Sequence, residues 1–456
     1  MQNYPTICNN SRRKRFDCQD QDTYNEARKM KRIPKSDEGV FPVRTGCGRC
    51  EIVFPDSFFP TEGFVKQVHP LFVRTLMLGE EQPFVYVSIE MTSLPDDEVA
   101  VLRSAVAESA GTTHDHVWIT VTHTFSAPHI MPDHSLKTEA DRERKCILQQ
   151  ILLNAVNASV QQAAENRADA VLTLSQGEST VAASRDIELK EGWWIGCGGS
   201  GPADKTLTVL KWQSGDKLLA VLLHLNLQSS VLDGTGAAEG KCVSGDLAGI
   251  ACAMLEKRYP GAVAIFMIGA AGDTAPVSKA KGYLPQADGC WLEQDLHEAG
   301  VVIAEKLGDQ LAGEAVECMK LPGETLPGTP ILEDATVIVP AKKMNRNLRE
   351  LKPVHFCEWE PDGENEQPIS VLTLGNLALV GVKPELTYVT DQRIKRESPF
   401  CYTLVTTLVN GGAKYMADRS CYERCMYEAI NSPFAPGAAE RLAQSAVTML
   451  QAAAMS

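Results

Sequence analysis

The stretch VAIFMIGAAGDTAP, from Val263 to Pro276, decides how this 456-residue chain is read. Its opening residues form an unbroken apolar run, which marks a strand covered on both faces rather than one. Gly269 and Gly272 follow, with alanines between them, and small residues at a strand end allow close backbone approach. Asp273 is thereby presented at the turn. In open α/β sheets, ligands bind where strands end at their carboxyl side, so this turn is a place to look for chemistry.

The pattern continues in both directions. Upstream, strands are expected near 205–212 and 217–228, with a helix near 245–259; downstream, a long helix is expected near 292–312. Further toward the N-terminus, FVYVSIEM at 84–91 reads as a strand, and Pro95, Asp96 and Asp97 open a helix with acidic residues in its first turn. HVWITVTHT at 116–124 reads as another strand, and apolar residues at 147, 148, 151, 152, 155, 156 and 160 form a helical stripe over 139–164. The last third predicts strands at 369–382 and 402–409 and helices near 418–430 and 437–453. Alternation over the whole length predicts an α/β fold, a large single domain over 41–456 with mixed β-sheets covered by helices.

Composition bounds the function. The formal net charge of −14 argues against nucleic-acid binding, which needs a basic face. No apolar run is long enough to cross a bilayer, and the opening MQNYPTICNNSRRKRF is no signal peptide. Fourteen cysteines lie scattered rather than framed, which fits reduced thiols in a cytoplasmic protein. Cys47/Cys50 and Cys421/Cys425 are read as incidental thiols, with a zinc or redox site as the alternative. Residues 1–40 are polar, carry the Arg12–Arg13–Lys14–Arg15 tract, and are expected to be a flexible extension dispensable for folding. GCGGSG at 196–201 lacks the lysine of a phosphate loop and is read as a flexible loop.

Several strand ends turn polar. His123 closes WITVTHT; LAVLLHLNLQ puts His224, Asn226 and Gln228 on one face by the two-residue period; LALVGVKPELTY ends in Glu385. The polar face of the second strand fits either a cleft lining or a solvated edge. Spacing alone does not assemble these residues into a site.

A family resemblance does. VWITVTHTFSAPH resembles the ATHTHSGP strand end of the neutral ceramidases, and IFMIGAAGDTAP resembles their GDVSP segment. TGCGRCEIVFP is similar to their opening AGVARVDITPP, and LVNGGAKYMADRSCYERCMYEAINSPFAPGAAERL to their closing segment. The likeness runs in order from about residue 44 to the end, with no counterpart of the family's immunoglobulin-like C-terminal domain. It implies a zinc hydrolase that cleaves an N-acyl bond. The metal ligands it implies fall on His123, Gln228, Glu385 and Tyr415, and Arg185 and Tyr427 fall where the acyl carbonyl is held and polarised; in a hydrolase of this kind Asp273 is expected to orient the site. The expected substrate is a small-molecule amide or N-acyl compound.

The chain departs from the family pattern at three places. Gln228 stands where the second histidine ligand would be, Phe125 replaces the second histidine of THTH, and Ala275 replaces the serine of GDVSP. A carboxamide oxygen is a weaker, harder donor than imidazole, so a divalent metal other than zinc, manganese or magnesium, is also compatible with the set. Ceramide is not expected as substrate, and a catalytically inactive binding or scaffold protein is the alternative reading.

Overall fold

The computed structural model describes residues 42–286, 290–327, 329–344 and 351–455. The expected N-terminal extension lies outside the described residues. The rest folds as four layers: helices, a large sheet, a second sheet and a last helical layer.

The large sheet contains β1 (Val43–Ile52), β2 (Leu71–Leu78), β3 (Phe84–Ile89), β4 (Val117–Val121), β5 (Ala168–Glu178), β6 (Thr206–Ser214), β7 (Lys217–Leu225), β8 (Val263–Ile268) and β9 (Glu324–Leu326). Its order is β8-β7-β6-β5-β1-β2-β3-β4, with β9 paired to β5. The pairs β7–β8 and β3–β4 are parallel, while β5–β6 and β6–β7 are antiparallel. The sheet curls until its two ends meet: the Ser88 hydroxyl of β3 donates to the Phe266 carbonyl of β8 at 3.0 Å. A buried ion cluster fills the closure, in which Arg74 of β2 bonds Glu90 and reaches Glu256 at 2.9 Å. A single unpaired charge there would be costly, and the cluster leaves the guanidinium with two carboxylates.

Strand periodicity divides the core. Val85, Val87 and Ile89 of β3 face the helical layer, whereas Phe84 and Tyr86 face the other way. The helical side is built from α1 (Asp96–Ala110), α2 (Glu139–Glu165), α3 (Asp246–Arg258) and α4 (Ala299–Cys318). Helix α2 starts at a capping box, with Thr138 and Asp141 each accepting from the other's backbone N–H.

The second sheet, in the order β10 (Ile331–Lys342), β11 (Pro361–Leu374), β12 (Leu377–Val382), β13 (Tyr402–Thr406), covers the opposite face. Leu372, Leu374, Leu377, Leu379 and Leu404 point into the intersheet core with Trp118 and Trp212. Val371, Ala378, Val380 and Val405 point outward, where they meet Ile394 of α5 (Tyr388–Glu397) and Leu442, Ala446 and Leu450 of α8 (Ala438–Ala453). Between α5 and α8 lie two short helices, α6 (Arg419–Glu423) and α7 (Tyr427–Ile430). Mixed sheets under helices are what the alternating sequence predicts.

Four expectations shift. The strand expected at 369–382 is two strands folded back at Gly375 and Asn376, with Leu374 opposite Leu377 and Gly375 at φ 56°. The long helix starts at Ala299, not 292, because Trp291–Asp295 forms an antiparallel ribbon with Lys281–Pro285. The helix expected at 418–430 breaks at Cys425, whose φ is 50°. Strand β7 ends at Leu225, so Asn226 and Gln228 lie in the loop after it.

Candidate active site

The site forms where strands end. β4, β7, β8, β12 and β13 each take part in a parallel pair, and the loops leaving them carry His123, Gln228, Asp273, Glu385 and, further on, Tyr415. Residues Glu385–Leu386 and Tyr415–Met416 pair in parallel, with Glu385 opposite Tyr415, which fixes the two side chains as neighbours. The loop after β8 comes against this bridge through the Gly272 N–H, which donates to the Leu386 carbonyl at 2.9 Å. A Cβ at position 272 would meet that same oxygen at 2.8 Å, so only glycine allows the approach.

His123 sits two residues past β4 with φ 58°, in a region that side-chain-bearing residues seldom occupy. Its Nδ1 donates to the Thr92 carbonyl at 2.5 Å, which places a proton on Nδ1 and turns Nε2 toward Glu385. Nε2 lies 3.1 Å from Glu385 Oε2, both side chains being buried, yet it makes no hydrogen bond of good geometry. Burial opposes charge on His123, but the Glu385 carboxylate outweighs it and raises the imidazole pKa. Burial likewise opposes charge on Glu385, and His123 with Arg185 holds the carboxyl below its usual range.

Gln228 joins this pair to Arg185. Its amide nitrogen donates to Glu385 Oε2 at 3.0 Å, and its carbonyl accepts from Arg185 Nη1 at 2.9 Å. The two partners fix the amide orientation, since a carboxylate needs a donor and a guanidinium an acceptor. Arg185 lies under two phenols, 5.0 Å from the Tyr415 ring centre and 5.6 Å from that of Tyr427. Its Nε and Nη2 donate to Glu428 Oε1 at 3.0 and 2.5 Å. The Arg185 N–H donates to the Asp273 carbonyl at 3.0 Å, and both Asp273 carboxylate oxygens accept from the Tyr388 N–H at 3.0 Å. Burial, followed by the charge of Glu428, pushes the Asp273 carboxyl up to about 7.

Half-exposed aromatics surround this floor. The Phe125 ring lies 4.7 Å from that of His123, and Trp194 meets Tyr427 edge-on at 5.3 Å. Burial raises the pKa of both Tyr415 and Tyr427, so both phenols keep their protons.

His123, Gln228, Glu385, Tyr415, Arg185 and Tyr427 thus converge, and Asp273 joins them through the Arg185 backbone. Glu428, Asp186 and Trp194 also belong to the site and were not read from the sequence. Glu428 has no periodic signature, because α7 is a single turn. The open question over the polar face of β7 is settled by burial. His224 Nε2 donates to the Val405 carbonyl at 2.9 Å, and Asn226 donates to Asp391 at 2.9 Å, so neither faces solvent. Cys47 and Cys421 make hydrogen bonds to Leu219 O and Asp418 Oδ2, and none of Cys47, Cys50, Cys421 and Cys425 is in a disulfide.

The donor set can be tested against a divalent metal. Among the described residues no cluster of three or more His, Cys, Asp or Glu side chains is arranged to hold an ion. His123 and Glu385 reach three donors only with the Tyr415 phenol. A buried Nε2 aimed at a carboxylate without a well-formed hydrogen bond is nonetheless the arrangement a cation between them would complete, and the residues fit one on that ground.

The candidate site lies at strand ends, and comparison with solved structures shows what the fold is like: it is similar to that of neutral ceramidases. The chain superposes on a structure described as ceramidase complexed with C2 with a TM-score of 0.69 at 14% identity, covering 91% of this chain and 76% of that one. It superposes on the neutral ceramidase from Pseudomonas aeruginosa with a TM-score of 0.69 at 15% identity, covering 91% of this chain and 75% of that one. No family model and no curated protein matches the sequence. Among the described residues no helix is long and apolar enough to cross a membrane.

Proposed function

We propose that this chain is a metal-dependent hydrolase of a small amide or N-acyl compound other than ceramide. The observation that carries the reading is the 3.1 Å approach of the buried His123 Nε2 to Glu385 Oε2, without a hydrogen bond of good geometry. His123, Glu385 and Tyr415 would hold a divalent cation, with Gln228 at its edge. When bound, such a cation lowers the pKa of water and polarises a carbonyl. Zinc is the metal the family resemblance suggests; manganese and magnesium suit the oxygen-rich set.

The chain's own residues supply the rest. Arg185 and the Tyr427 phenol are donors for the oxygen on which charge develops as the acyl carbon is attacked, and a preorganised donor pair is worth more in a buried site than in water. Gln228 keeps Arg185 and Glu385 at fixed separation by bonding both. Asp273 orients the loop by holding the Tyr388 N–H and, through its carbonyl, the Arg185 backbone. Ala275 offers no hydroxyl and Phe125 no proton, so the acid–base help of those two positions is missing, an effect of about a hundredfold to ten-thousandfold per group. That deficit is the reason for excluding ceramide.

One observation favours a binding protein without catalysis. Both ends of the Gln228 amide are satisfied within the protein, which closes a polar network where a fourth metal ligand is expected. Metal analysis of protein purified without chelator, together with product detection from a panel of short N-acyl amides, separates the two. Bound metal and acid release that is lost on chelation support the hydrolase. Metal-free protein that binds amides without turning them over supports the binding protein.

A further inference from the structure

The side of Arg185 that faces away from Gln228 is crowded with acid. Glu428 is completely buried and gives one oxygen, Oε1, to Arg185, while its other oxygen, Oε2, has no hydrogen-bond partner. Asp186 follows Arg185 in the chain and is only partly buried, and Asp273 lies opposite Arg185, continuing the antiparallel pairing of Thr274 with Ser184. Glu428 and Asp273 each act on Asp186 strongly enough to keep its carboxyl well above the ordinary range, after burial itself. One turn along, Asn431 Oδ1 is another buried acceptor with no donor, although its amide nitrogen bonds the Tyr427 phenol oxygen at 3.1 Å.

An unpaired carboxylate oxygen in a protein interior is costly, and two orphaned acceptors on one helix end share the same deficit, a missing donor. A metal ion is the less suitable remedy, because among the described residues no group of three or more His, Cys, Asp or Glu side chains is placed to hold one. An ammonium group brings three N–H donors and no acceptor, and its hydrogen bonds to carboxylates are charge-assisted. The aromatic rings beside the cluster add to this, since Trp194 and Tyr427 meet edge to face at 5.3 Å and ring faces attract cations.

We propose that Asp186, Asp273 and Glu428, walled by Tyr427 and Trp194, form a subsite for an alkylammonium group on the amine half of the substrate. The inference rests on the hydrolase reading for the word substrate, and on the geometry alone for the binding of the ammonium. Arg185 then divides the cleft: Gln228 lies on one side of its guanidinium, and the carboxylates that take the cationic amine on the other. The substrate class becomes an N-acylated diamine rather than a neutral lipid amide.

The test is calorimetric titration of the full chain with 1,4-diaminobutane and with 1-butanol, an uncharged control, at neutral pH. The diamine is expected to bind and 1-butanol not. Asp186→Asn, at a partly exposed position where folding is least at risk, is expected to weaken diamine binding at least about tenfold, as loss of one charge-assisted contact does. Glu428→Gln is expected to weaken it as well, and its thermal unfolding is recorded alongside because the change also touches Arg185. Diamine binding equal in wild type and Asp186→Asn overturns the proposal, as does a failure of the diamine to bind at all. If the diamine binds as expected and no N-acyl amide is hydrolysed, the subsite stands and the hydrolase reading falls.

Discussion

His224 is the most instructive residue to titrate. It was expected on a polar face, and it is buried under β13, donating to the Val405 carbonyl. Burial comes first among the causes that lower its pKa to about 4, with the charge of Lys395 second. Lys395 is itself buried and held cationic by Asp204 and Asp391, each 2.8 Å away, so it cannot relieve the imidazole by losing its proton. In the unfolded chain the histidine pKa is about 6.5. The folded state therefore binds fewer protons than the unfolded state between those values, and stability falls as pH drops from about 6.5 toward 4. At about 1.4 kcal/mol per pH unit, the loss reaches roughly 3 kcal/mol over that window. Above pH 6.5 the residue contributes no slope. His224→Gln keeps a donor for the Val405 carbonyl and removes the titration. Urea unfolding of both proteins at several pH values from 7 to 4.5 reads the difference. The wild type should lose about 2 to 3 kcal/mol more than the variant across the range. Parallel pH profiles for the two proteins would refute the assignment of a buried, neutral His224.

Other expectations are quicker to state. Asp204→Asn removes one anion from the buried Lys395, which Asp204 holds at 2.8 Å, and should destabilise by about 3 to 5 kcal/mol in urea unfolding; a loss under about 1 kcal/mol would mean that the pair is solvated. Gln228→Met preserves volume but removes two hydrogen bonds to charged groups, and should cost roughly 3 kcal/mol, read as a lower urea midpoint. Deleting residues 1–40 should leave the melting temperature nearly unchanged, and a large drop would show that the extension contributes to the fold. Ceramide hydrolysis should not exceed that of a His123→Ala control.

What the sequence made legible follows from where burial writes a pattern. The apolar runs of β3, β4, β7 and β8 and the stripe of α2 declare themselves because both faces, or one full stripe, are covered. By contrast, β10 and β11 form a long ribbon in which Pro361–Glu366 pairs largely in solvent, and polar residues such as Asp362, Glu364 and Glu366 carry no alternation. Apolar residues on both sides of the Gly375–Asn376 reversal mask it in the sequence, although a two-residue turn of that composition is a hairpin signal. In the site, His123, Glu385 and Asp273 were visible as polar interruptions at strand ends, while Arg185, Tyr415 and Tyr427 were found through the family resemblance. Glu428 and Asp186 stayed hidden for a physical reason: each is next in sequence to a residue that was found, and only the folded chain turns it onto Arg185.

The central claim is that His123 and Glu385 share a cation, and zinc titration by calorimetry addresses it without any need for a substrate. Wild type should bind one ion per chain, Glu385→Ala should bind none, and Gln228→His should bind at least about tenfold more tightly, because an imidazole nitrogen replaces a weak carboxamide donor. No zinc binding by the wild type, or equal affinity in wild type and Glu385→Ala, would contradict the account.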